Sequence, residues 1–211
     1  MVFDIERGVS SKIEPLPWQS ETCIGDWHYS RDLYNHHWYK NANYVIRSLA
    51  DVVSKNGVFL LNIPVRADGT IDDQEVAIVK DIGVWMKTNG EAIYATRPWK
   101  VCGEGPGIDK APPKGAPGSA EDKTAPKPDE IRFTTKGDTL YAIVYGWPTK
   151  PVTIKSLGAN AGLLDGTITN VTLLGTGDKV AWTQSDAAVT IQPPAKPLFT
   201  EAAVYKFTVK K

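Results

Sequence analysis

The stretch that most constrains the fold runs Val53-Ser54-Lys55-Asn56-Gly57-Val58-Phe59-Leu60-Leu61-Asn62-Ile63-Pro64, then Asp68-Gly69-Thr70-Ile71. Val45, Leu49, Val52 and Val53 recur at helical spacing behind an N-cap at Asn41 or Asn43, and Asn56-Gly57 supplies a left-handed stop. Six residues, 58–63, follow with five apolar side chains and no alternation. That run is too short for a helix and suits a parallel strand buried between helix layers. Asp72, with Glu75 three residues on, forms a capping box for a second helix. Val76, Val79, Ile82 and Met86 read as its buried stripe, and Asn89-Gly90 as its end.

Before this unit, residues 1–40 read as long loops around one short strand near Glu21-Thr22-Cys23-Ile24, with Trp18, Trp27, Tyr29, Tyr34, Trp38 and Tyr39 on them. After residue 100 the composition changes. Residues 101–130 are rich in Gly, Pro, Lys and Ala, as in Ala111-Pro112-Pro113-Lys114-Gly115-Ala116-Pro117-Gly118, and read as a linker or loop. Short strand patterns then recur at 131–135, 139–145, 152–157, 167–174, 179–183, 187–192 and 202–209, with turns at Gly137-Asp138, Asp165-Gly166 and Gly177-Asp178. Strands without intervening helices predict an antiparallel sandwich. The fold class is therefore α/β plus all-β, with a division into 1–100, 101–130 and 131–211.

The 24 basic side chains balance 24 acidic ones, which gives no argument for nucleic acid or an anionic membrane as partner. A neutral ligand fits better, and seven Trp with eight Tyr suit stacking on sugar rings as well as ordinary packing. Cys23 and Cys102 lack metal-ligand spacing, and adjacent His36 and His37 diverge without a third ligand, so no metal or cofactor is implied. No basic region leads into an apolar run at the N-terminus, so no signal peptide is read and the compartment stays open. At 211 residues the chain is too short for a complete (β/α)₈ barrel, which takes about 250 residues, plus a sandwich.

Several motifs, in order, carry a family resemblance: Pro17-Trp18-Gln19-Ser20-Glu21-Thr22-Cys23, Gly25-Asp26-Trp27-His28-Tyr29, Ser54-Lys55-Asn56-Gly57 with Leu60-Leu61-Asn62-Ile63, Asp68-Gly69-Thr70-Ile71, and Asn89-Gly90-Glu91-Ala92-Ile93-Tyr94 with Arg97-Pro98-Trp99. The chain resembles the C-terminal part of a bacterial α-L-fucosidase of glycoside hydrolase family 29. The resemblance implies the last units of a catalytic (β/α)₈-like barrel followed by a β-sandwich, in a periplasmic or secreted parent enzyme. It also implies retaining hydrolysis of terminal α-L-fucose from a fucosylated oligosaccharide or glycoconjugate. An Asp nucleophile and a Glu acid/base perform that reaction through a covalent fucosyl-enzyme. The nucleophile belongs to barrel strands preceding Met1, so the chain alone is expected to be inactive.

Carried over by position, Glu6 of Asp4-Ile5-Glu6-Arg7-Gly8 is the first choice for the acid/base, and Glu21 is the alternative because Gln19 follows Trp18 here. Trp27 is implied as a wall for the apolar face of fucose. The chain departs from the family pattern at Asn62-Ile63-Pro64-Val65 and at Trp27-His28-Tyr29. Read without the resemblance, Glu6 beside Arg7 is a solvated ion pair and Asp68-Gly69 a turn. A reading of a different class is a carbohydrate-binding or structural sandwich module with Trp147 and Trp182 exposed on one face. The strand at 58–61 lacks barrel neighbours in this chain, so its apolar surface is expected to meet the sandwich, a partner or a second copy in a homo-oligomer.

Overall fold

The structure, a computed structural model, describes residues 3–106, 108, 130–176 and 179–211. Most of the Gly/Pro-rich stretch and the Gly177-Asp178 turn lie outside the described residues.

The N-terminal part holds three parallel strands, β1 (Phe3–Glu6), β2 (Trp18–Cys23) and β3 (Gly57–Asn62), ordered β1-β2-β3. Three helices accompany them: α1 (Arg31–His36), α2 (Ala42–Ser54) and α3 (Asp73–Asn89). The side chain of Asn41 accepts the amide N–H of Tyr44 and starts α2. Asn56, at φ 71°, supplies the left-handed stop. Gly57 then opens β3 where a Cβ would lie 2.5 Å from Val52 Cγ1 and 2.7 Å from the Trp18 ring, so only glycine allows α2 to lie this close to the sheet. Asp72 caps α3 with both bonds of the capping box present.

Four features of this half differ from the sequence reading. α1, six residues with no buried side chain and so no apolar stripe, forms where loops alone were expected, and Val58 and Leu60 of β3 are exposed rather than buried between layers, because α2 covers only the other face. Glu6 is not on a loop but ends β1, a four-residue edge strand too short and too polar for a periodicity signal. α3 is also rotated from its expected stripe. Val79 is exposed, whereas Trp85 is fully buried and donates its indole N–H to the Ala202 carbonyl at 3.0 Å. The helix turns its largest ring toward the sandwich rather than toward β3.

The C-terminal part is a sandwich of two antiparallel sheets. One contains β4 (Arg97–Glu104), β5 (Ile131–Lys136), β6 (Thr139–Tyr145), β11 (Ala202–Lys210) and β8 (Thr167–Leu173), in that order. The other contains β7 (Val152–Ile154), β10 (Val189–Ile191) and β9 (Trp182–Gln184). All seven strands expected beyond residue 130 are present, and Arg97-Pro98-Trp99 adds β4, with Trp99 set edge-on to Phe133 at 5.2 Å.

Strand alternation gives the five-stranded sheet two buried faces. Leu140, Ala142 and Val144 of β6, with Ala203, Tyr205 and Phe207 of β11, face the three-stranded sheet. Tyr141, Ile143, Tyr145, Ala202 and Val204 face Ile46 and Ala50 of α2 and Trp85 of α3. Helices of the parallel unit thus form a third layer on the sandwich. Trp147 and Trp182 pack half-buried against the sandwich core.

A buried ionic cluster ties the two parts together. Asp51 on α2 accepts hydrogen bonds from Arg132 of β5 at 2.5 Å and from Lys55 at 2.8 Å, and Arg132 also binds Glu130 at 2.9 Å. Two cations meet two anions, so the cluster is neutral. Burial opposes the Arg132 charge, but Tyr145, Asp51 and Glu130 together hold its pKa above the usual value. Its guanidinium also lies 5.1 Å from the Tyr145 ring.

Candidate active site

Parallel register determines which side chains share a face. Glu6 stands opposite Glu21, and Glu21 opposite Leu60. Trp18 and Gly57 point toward α2, so their alternates, Gln19, Glu21, Val58 and Leu60, point to the other face together with Asp4 and Glu6. Among the described residues nothing layers that face as α2 layers the first: Val58 is 59% exposed and Leu60 50%. It combines three carboxylates on β1 and β2 with an apolar strip on β3.

The two acid/base candidates therefore lie on adjacent strands with side chains on the same face, at a strand spacing of about 4.8 Å. Partial burial raises the Glu21 carboxyl pKa above its ordinary 4.5, and the like charges of Asp4 and Glu6 raise it further. Glu6 is exposed and is the last residue of its strand.

Beyond the strand ends the chain builds a rim. Arg7 adopts a left-handed φ of 49° while its amide N–H continues the ladder to the Glu21 carbonyl at 2.8 Å. Its guanidinium donates to Cys23 Sγ at 3.1 Å and the Gly25 carbonyl at 3.5 Å, lies 4.0 Å from Asp26 Oδ1, and sits 5.7 Å from the Trp27 ring centroid. From the other side, Asn62 Nδ2 donates to the Asp26 and Trp27 carbonyls at 3.3 and 3.2 Å. Trp27 is thus half-buried on a loop fixed by the ends of β1 and β3.

Sequence reasoning named Glu6, Glu21 and Trp27 but not Arg7, whose place beside Glu6 reads as an ordinary ion pair. Only its positive φ and its reach to Cys23 and Trp27 mark it out, and neither is visible in the sequence. Among the described residues no group of three or more His, Cys, Asp or Glu side chains is arranged to hold a metal ion. His36 instead stacks on Trp38 at 4.4 Å. No helix among the described residues is long and apolar enough to cross a membrane.

Comparison with known proteins gives this geometry its family context. Residues 2–91 match the α-L-fucosidase family model, and residues 124–210 match the model of the α-L-fucosidase C-terminal domain. The tissue α-L-fucosidase of Mus musculus is 30% identical over 206 residues, covering 94% of this chain and 39% of that protein. The chain thus spans about two-fifths of the length of the curated relatives it matches. Among solved structures, the Thermotoga maritima α-fucosidase in complex with fucose superposes with a TM-score of 0.70 at 26% identity, covering 93% of this chain and 41% of that one. A Bacteroides thetaiotaomicron α-L-fucosidase, trapped as a covalent intermediate with 2-fluoro-fucosyl fluoride using a glutamate-to-glutamine mutant, shares the fold at TM-score 0.68 and 22% identity, over 98% of this chain and 42% of its own. The two family models together take in both halves of the chain, the parallel unit with its carboxylate pair and the sandwich behind it: the chain belongs to the α-L-fucosidase family.

Proposed function

We propose that this chain supplies the acid/base side of a retaining α-L-fucosidase site acting on fucosylated oligosaccharides or glycoconjugates, with the Asp nucleophile outside the chain. The observation that carries the reading is the pairing of Glu6 with Glu21 on the open face of a parallel sheet, at the strand ends where Trp27 is fixed. Active sites of (β/α)₈ barrels lie at that end of the strands. On this reading β1, β2 and β3 are consecutive staves of such a barrel and the open face is its interior. Residues 1–100 then belong to the catalytic barrel and 131–211 to the sandwich, with β4 passing between them.

Glu6 donates a proton to the departing glycosidic oxygen, then accepts one from the water that resolves the fucosyl-enzyme. The covalent intermediate trapped in the Bacteroides relative supports this two-step course. One observation favours Glu21 for the same role. Its carboxyl keeps a proton to higher pH, as a general acid at neutral pH requires. The face and methyl group of fucose pack against Trp27, which Arg7 and Asn62 hold in place.

The test is a complete enzyme, this chain continued upstream by the barrel, carrying Glu6→Gln or Glu21→Gln. The acid/base variant loses turnover of substrates with poor leaving groups by a factor on the order of 10²–10⁴, and with an activated aryl fucoside, whose leaving group departs without a proton, azide in place of water accelerates breakdown of the fucosyl-enzyme and yields fucosyl azide. Unchanged turnover in both variants would remove both assignments.

A further inference from the structure

The loop that carries Trp27 is held a third time, from the start of α3. Tyr39 lies on the segment joining α1 to α2, and its neighbour Lys40 ties that segment to the end of β2. The Lys40 amide N–H donates to the Ile24 carbonyl at 2.7 Å, and its Nζ donates to Thr22 Oγ1 and to the Cys23 carbonyl, both at 3.0 Å. The Tyr39 ring then lies against Gly25. A Cβ on Gly25 would meet the ring carbons Cδ1 and Cε1 at 2.8 Å, so the ring fills the place of a side chain at the residue that opens the loop.

The far end of the ring is fixed in turn. The Tyr39 hydroxyl donates to Asp72 Oδ2 at 2.7 Å. Asp72 is fully buried, and its other oxygen, Oδ1, accepts the Glu75 N–H at 2.8 Å. The Asp72 N–H donates to Oε2 of Glu75, also fully buried, at 3.0 Å, which locks the Asp72 backbone. Capping a helix needs one side-chain oxygen, which a serine would supply. The second oxygen of Asp72 serves Tyr39 instead. Burial, and then the bond to Asp72, push the Tyr39 hydroxyl well above its ordinary pKa, so it stays a donor throughout the neutral range.

We propose that Tyr39 is a positioning residue for the fucose contact: anchored on Asp72, its ring sets the Gly25–Trp27 loop and through it the face that Trp27 presents. The part played by Trp27 rests on the fucosidase reading. The three anchors divide the loop between them. Arg7 and Asn62 take its carbonyls, at Gly25, Asp26 and Trp27, whereas Tyr39 packs on the Cα of Gly25 and links the loop to a 17-residue helix.

The experiment breaks the link at each end. Tyr39→Phe removes the hydroxyl and keeps the ring; Asp72→Ser keeps a capping oxygen and removes the one that Tyr39 uses. In two-dimensional NMR of the 211-residue chain, both are expected to move the Trp27 indole N–H and the Gly25 and Asp26 amide signals. The double variant is expected to move them no further than either single one, because both break the same contact. In the complete enzyme, Tyr39→Phe is expected to raise KM for a fucoside about three- to tenfold with kcat nearly unchanged, since Trp27 packs on the sugar in ground and transition states alike. A purely structural Tyr39 would lower the folded fraction, cutting the apparent kcat and leaving KM. That result overturns the proposal, as do Trp27 signals that stay in place in both variants or shifts that add in the double variant. The NMR measurement needs no turnover. Moved signals in a chain whose completed enzyme cleaves no fucoside would remove the fucosidase reading and leave the Tyr39 anchor, and unmoved signals beside an active enzyme would do the reverse.

Discussion

Glu21 shows how a neighbouring charge turns a scaffold position into a chemical one. Its pKa is raised by partial burial and then by Asp4 and Glu6 across the β1–β2 ladder. A carboxyl with a raised folded-state pKa binds its proton more tightly when folded, so it favours the folded state at low pH. That contribution fades as pH climbs from the unfolded value near 4.5 through the folded one. Glu21→Gln removes the term, and the variant is expected to match the parent near pH 4 and to exceed it in thermal midpoint at pH 7. Melting curves at the two pH values check this, and a variant less stable than the parent at pH 7 would show that the charge is compensated in the folded chain. Glu21 stood out in sequence only through the Trp18-to-Cys23 motif. Its pairing with Glu6 was hidden because β1 is four residues long and presents Asp4 and Glu6, which give no strand signal.

α2 and β3 were legible because each is settled by its own residues. Asn41 caps, Asn56 stops, Gly57 admits the helix, and the apolar run at 58–61 extends. α3 was legible only at its start, where Asp72 and Glu75 cap each other locally. Its buried face depends on a sheet that begins after it in the chain, and Trp85 wins over the expected Val79 stripe because Ala202 offers both space and a carbonyl. The approach of the Arg66 guanidinium to the Tyr29 and Tyr34 rings, at 5.7 and 6.0 Å, was illegible for a related reason, since it forms only after two loops converge. Trp85 should therefore be the costliest single position on α3. Trp85→Ala removes a fully buried ring and leaves the Ala202 carbonyl unpaired, a loss of about 3–5 kcal/mol. Val79→Ala, at an exposed site, is expected to cost less than about 0.5 kcal/mol. Chemical denaturation of the two variants separates them, and equal losses would place the helix in the other rotation.

The molecule as a whole is closed on one side and open on the other. On the open side, Val58 and Leu60 expose an apolar strip along β3. The isolated chain is expected to self-associate through that strip, and Val58→Thr with Leu60→Thr to return it to monomer by sedimentation velocity; a parent chain that is monomeric at high concentration would contradict this. On the closed side, α2 is bound to the sandwich by Asp51, Arg132, Glu130 and Lys55, all buried. Such a cluster gives little net stability relative to an apolar replacement, yet removing one member leaves an unpaired buried charge. Arg132→Met alone is therefore expected to cost about 3–5 kcal/mol, because Asp51 and Glu130 lose their shared cation. Neutralising Glu130 as well, in Arg132→Met with Glu130→Gln, returns the remaining cluster to one anion and one cation, Asp51 with Lys55, and is expected to recover part of that loss. A double-mutant cycle by urea denaturation measures the coupling, and additive losses would show that solvent reaches the cluster. Both transitions should also be single: α2 belongs at once to the parallel sheet through Val52 and Trp18 and to the sandwich through Asp51 and Arg132, so the two halves unfold together. Two separate transitions in the parent, one for each half, would mean that this helix does not couple them.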